Sequence, residues 1–65
     1  MIETSGQRIK RIRLEMGMTQ KELAGMIGVS SEHLNRWEND HHTPHKVFIR
    51  DLDRIFLEWA KKGKG

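Results

Sequence analysis

Thr19-Gln20-Lys21-Glu22-Leu23-Ala24-Gly25-Met26-Ile27-Gly28-Val29-Ser30-Ser31-Glu32-His33-Leu34-Asn35-Arg36-Trp37-Glu38-Asn39 is the stretch that decides the fold. It reads as two short helices with a brief joint. Thr19 and Glu22 are spaced for a capping box, in which the hydroxyl accepts the N–H three residues on and the carboxylate reaches back to the cap's own N–H. Leu23, Ala24 and Ile27 share a face, and Gly28 supplies the left-handed residue that ends the helix after two turns. Ser30 is a second good N-cap, opening a helix over Ser31 to Asn39 in which Leu34 and Trp37 lie three apart.

Two short helices joined by Gly28-Val29-Ser30 describe a helix-turn-helix at about residues 19–39, a unit whose second helix can enter the DNA major groove. At about 100° per residue with Ser31 at zero, Asn35 falls near 40°, Asn39 near 80°, Glu32 near 100° and Arg36 near 140°. Leu34 and Trp37, near 300° and 240°, point the other way and predict the buried side. The polar arc is left for a partner, and its chemistry suits base edges. Arg36 can donate two bonds to guanine, Asn35 can pair with adenine or a phosphate, and Glu32 can accept from a cytosine amino group.

Upstream, Thr4 or Ser5 can cap a first helix that carries Ile9, Ile12, Arg13 and Met16 on one side and stops at Gly17. Downstream, Asp40-His41-His42-Thr43 is a polar loop. Thr43-Pro44 reads as an N-cap followed by Pro at the first helical position. Phe48, Ile49, Leu52, Ile55, Phe56 and Trp59 then recur at spacings of three and four, predicting one helix of about 18 residues. The expected fold is an all-α bundle of four to five helices in one domain over residues 1–65, with loose edges at 1–4 and 63–65.

Composition agrees with this reading and narrows the function. With 65 residues and no cysteine, disulfides and thiolate metal cages are excluded, and a small core must close by packing alone. The charge is +3, from twelve Lys and Arg against nine Asp and Glu, and the pI is near 9.7, a modest bias toward a polyanion. Arg8, Lys10, Arg11 and Arg13 cluster on the first helix and Lys61, Lys62 and Lys64 close the chain. Singly, Arg8, Lys10, Arg11 and the C-terminal lysines are solubilising charge, and collectively they can track phosphates. No run approaches a membrane span and no secretory leader is evident, so a cytoplasmic location is expected.

Gln7-Arg8-Ile9-Lys10-Arg11-Ile12-Arg13, the Thr19-Gln20-x-Glu22-Leu23-Ala24 string, Ile27-Gly28-Val29-Ser30 and Trp37-Glu38-Asn39 together resemble the lambda repressor and Cro family, also called the Xre family. The resemblance runs from Gln7 to about Phe56. It implies a lambda-repressor-like bundle that recognises operator DNA as a homodimer, in a bacterial or phage-encoded transcriptional regulator, most simply a repressor. By the same resemblance Ser31, Glu32 and Arg36 face bases, and Gln20, Lys21, Asn35 and Asn39 lie at the phosphate backbone. Arg13 and Glu38 match a family pair that ties the first helix to the end of the recognition helix. The chain departs from the family pattern at three places: Asp40, where glycine is usual and an unusual turn is therefore expected; Asp53, where alanine is preferred; and the unbroken stretch after Phe56.

Other chemistries find less support. His41, His42 and His45 lie close together, but no Cys and no metalloprotease spacing accompanies them, so they read as solvated loop residues and no metal or cofactor is expected. Met16, Met18 and Met26 read as core fillers. No nucleophile with its base and no phosphate-cradling glycine loop is present, so an enzyme is not expected. The rival from another class is an antitoxin-like interaction module that binds a protein partner through the last helix, where Trp59 either finishes the core or lies in an exposed apolar patch.

Overall fold

The computed structural model describes residues 2–63, and over them the chain is helical without strands. Its elements are α1 (Ser5–Glu15), α2 (Gln20–Ile27), α3 (Ser31–Glu38) and α4 (Lys46–Lys61). Four helices, not five, make the bundle, because α4 runs on past Phe56 without a break. Met1, Lys64 and Gly65, expected at the loose edges, lie outside the described residues. Glu3 and Thr4, expected at the loose start, are instead tied to α1: Thr4 is its N-cap and Glu3 pairs with Arg11.

Each start has a side-chain cap. Thr4 forms a capping box with Gln7, and Thr19 forms the expected one with Glu22, both bonds being present in each case. Ser30 accepts the His33 N–H at 3.1 Å. Such caps replace water on the free N–H groups of a helix start, at about 0.5–2 kcal/mol each. The fourth helix begins later than Thr43-Pro44 predicts. His45 is its N-cap, its Nδ1 accepting the Val47 N–H at 3.2 Å, while Pro44 lies before the helix and is buried. The proline anchors the loop rather than opening the helix, which accordingly spans 16 residues.

Gly28 ends α2 at φ 81°, a conformation that costs an L side chain about 1–2 kcal/mol. Asp40 does the same after α3 at φ 60°. The Asp40 N–H reaches the Trp37 carbonyl at 3.1 Å and the His41 N–H reaches the Arg36 carbonyl at 2.9 Å, the paired bonds of a Schellman ending. The expected irregular turn is thus replaced by an ordinary one in which Asp adopts glycine's conformation.

The core is Ile9, Ile12, Leu23, Ala24, Leu34, Trp37 and Leu52, with Ile55 also buried, and Met16, Met18, Ile27, Val29, Phe48 and Phe56 close around it. Trp37 meets Phe48 with ring centroids 5.2 Å apart, which joins α3 to α4. Met26 is solvent-exposed rather than a core filler. α3 packs against both α1 and α2. Gly6 permits the first of these contacts, because a Cβ there would overlap the Trp37 carbonyl oxygen.

Candidate nucleic-acid interface

The wheel of α3 divides as its sequence predicts. Leu34, Trp37 and Glu38 are buried, while Ser31, Glu32, Asn35, Arg36 and Asn39 are exposed. Ser31, Glu32, Asn35 and Arg36 line one shallow surface hollow, and Gln20, at the start of α2, completes it. Lys21 is exposed next to Gln20 but does not line the hollow, and neither does Asn39.

Beneath the hollow lies an ion pair. Arg13 donates through Nε to Glu38 Oε2 at 2.7 Å and through Nη2 to Oε1 at 3.0 Å, with the two side chains 11% and 2% exposed. Its Nη1 also donates to the Met18 carbonyl at 2.9 Å. Two-pronged pairing with each guanidinium nitrogen donating is what makes a buried ion pair tolerable, and removing either partner strands a charge. Among the described residues no buried side-chain nitrogen or oxygen lacks a partner.

Glu38 also accepts from Gln20 Nε2 at 3.1 Å, and Gln20 Oε1 in turn accepts from Asn35 Nδ2 at 3.3 Å. Asn39, grouped by sequence with the phosphate-side residues, turns its Nδ2 inward to the Asn35 main-chain oxygen at 2.9 Å and to Asn35 Oδ1 at 3.2 Å. A phosphate needs a donor, and the Asn39 donor is engaged within α3. Sequence reading missed this chain of amides, for which only the polar identity of Gln20, Asn35 and Asn39 gave a signal.

The basic cluster on α1 is arranged differently. Arg8 bonds Asp53 on α4, which accounts for an acid where alanine is usual. Arg11 donates to both Glu3 oxygens, at 2.8 and 3.2 Å, and approaches Glu15 at 3.8 Å. The bond from Arg11 holds the Glu3 carboxyl below its ordinary range, and the same bond raises the guanidinium's own pKa. Of the three α1 cations expected to track phosphates, Arg8 and Arg11 therefore already have carboxylates, as Arg13 does in its structural pair, and Lys10 is the one without an ion-pair partner among the described residues.

His33, His42 and His45 line a groove floored by Trp37 and Phe48. Among the described residues no group of three potential ligands is placed to hold a metal ion, and no helix is long and apolar enough to cross a membrane. A protein-family model described as helix-turn-helix matches residues 9–56. No curated protein and no solved structure matches the chain.

Proposed function

Since the chain belongs to the lambda repressor/Xre-type helix-turn-helix family, a DNA-binding family, we propose that it is a transcriptional repressor that occupies an operator as a homodimer. The observation that carries this reading is the single hollow formed by Gln20, Ser31, Glu32, Asn35 and Arg36, on the side of α3 opposite its buried residues. Ser31, Glu32 and Arg36 face the bases. Arg36 offers a two-pronged donor to guanine, and Glu32 accepts from a cytosine amino group. Gln20, Lys21 and Asn35 hold phosphates, which sets the register of α3 in the groove without reading sequence.

One α3 contacts too few base pairs to select an operator, so two copies bind half-sites about one helical turn apart. The protein works in the cytoplasm and without catalysis or a cofactor, by excluding other proteins from the operator. Selection of bound sequences from a random duplex pool, followed by stoichiometry on the selected site, tests this. A two-fold symmetric site holding two chains is expected, whereas one chain per saturated site overturns the dimer.

One observation favours a second reading, an antitoxin-like module. Met16, Met18, Met26, Ile55 and Trp59 line a hollow along α4, and Leu57 is exposed nearby in sequence. An apolar helix face docking in a protein groove is insensitive to salt, whereas phosphate-driven DNA binding weakens steeply with it.

A further inference from the structure

We infer that Glu38 and Asn39, neither of which touches DNA, are positioning residues that fix the hydrogen-bond polarity of the phosphate-facing amides of Gln20 and Asn35. The inference rests on the phosphate reading of those two amides. Glu38 is buried and ion-paired with Arg13, so its carboxylate can only accept. That forces the Nε2 end of Gln20 toward it, at 3.1 Å, and leaves Oε1 to receive Asn35 Nδ2 at 3.3 Å. Asn35 Oδ1 is thereby turned toward Asn39, whose Nδ2 lies 3.2 Å away and is itself held by the Asn35 carbonyl.

Each link has one permitted direction. A flipped Gln20 would set its oxygen against a carboxylate, and a flipped Asn35 would set oxygen against oxygen at Gln20 and nitrogen against nitrogen at Asn39. An NH2 group has two protons. Gln20 and Asn35 each spend one inside the relay and keep one, so two neighbouring N–H donors face the solvent with their orientation already set. A phosphate oxygen accepts and cannot donate, so this polarity serves it, and the amides need not reorient on binding.

The test uses Asn39→Ala, whose exposed side chain can be removed without opening the core. In the free protein, one NH2 proton of Gln20 and one of Asn35 are expected to be protected against exchange relative to those of Gln7, which form no hydrogen bond among the described residues. Asn39→Ala is expected to shift the Asn35 resonances and to weaken binding to random and operator duplexes alike by about three- to tenfold. In an Asn35→Ala background the same substitution is expected to change affinity less than twofold, because the amide it acts through is gone. Equal losses in both backgrounds, with the Gln20 and Asn35 resonances unmoved, would mean that Asn39 contacts DNA itself and would overturn the relay. Unprotected Gln20 protons would remove Glu38 from it. Parent-like affinity of Gln20→Ala is a different result: it overturns the phosphate reading, on which the relay's role depends.

Discussion

α1 and the α2–α3 pair are built from the same devices, yet they are left in opposite chemical states. α1 holds three arginines, and each guanidinium already has a carboxylate: Arg8 with Asp53, Arg11 with Glu3, Arg13 with Glu38. The exposed side of α3 holds one arginine and one acid, and Arg36 and Glu32 form no ion pair among the described residues. A count of charge ranks α1 as the polyanion-binding element. Free valence reverses the order, because a guanidinium whose charge a carboxylate already offsets gains less from a phosphate, whereas Arg36 and Glu32 have no such partner among the described residues.

The largest effect should come from the side of α3 that faces inward. Trp37→Ala is expected to cost about 3–5 kcal/mol as a buried aromatic, and Glu38→Ala about 3–5 kcal/mol by stranding Arg13. In a domain of this size either loss approaches the whole stability, so both variants should lose their cooperative melt. If either melts like the parent and loses only DNA affinity, the division of α3 into two sides is broken.

The next effect sharpens the same division from outside. Glu32→Ala removes a negative charge from a face that meets phosphates, so random DNA should bind more tightly. If Glu32 reads cytosine, discrimination at one base pair should fall by about 1–3 kcal/mol at the same time. Arg36→Ala should lose affinity and relax a guanine preference at a neighbouring pair. A panel of single-base operator variants at fixed salt separates these outcomes, and a uniform gain for Glu32→Ala with all preferences intact would show a merely solvated acid.

What could be read in the sequence follows the range of the interactions. The boxes and stops at Thr19, Gly28 and Ser30 depend on residues within four positions, so the sequence specifies them. The two sides of α3 follow from periodicity. Arg13 with Glu38 was visible only through family resemblance, and Arg8 with Asp53, 45 residues apart, was not visible at all. The later start of α4 escaped for a related reason: Pro44 is buried by tertiary packing, and that overrides the local preference that would open a helix there.

A smaller effect is expected on α1. Arg8 and Asp53 are each about two-fifths exposed, and a pair of that kind contributes about 0.2–1 kcal/mol. Arg8→Ala should therefore shift the melt only slightly and leave the salt dependence of DNA binding unchanged. A clear drop in the slope of log affinity against log salt would mean that Arg8 leaves Asp53 for a phosphate, and the contrast between α1 and α3 would no longer hold.

The smallest effect separates the two capping boxes. In the α1 box the Thr4 N–H donates to the neutral amide oxygen of Gln7 at 2.9 Å, and in the α2 box the Thr19 N–H donates to the Glu22 carboxylate at the same distance. The backbone bond from Thr19, aided by its hydroxyl, holds the Glu22 carboxyl below its ordinary value of 4.5. A depressed folded-state pKa stabilises the fold above the unfolded value, and that stabilisation is lost as pH falls through the folded one. The α2 box should therefore weaken only below about pH 4.5, while the α1 box has no titrating acceptor. Followed by amide proton resonances, Thr19 should titrate with a midpoint below 4.5, and Glu22→Gln should abolish that titration. Thr4 should stay still once its neighbour is silenced by Glu3→Gln. A Thr4 titration that survives this substitution would mean that the start of α1 senses a carboxylate after all, and that its box is not the neutral counterpart of the one on α2.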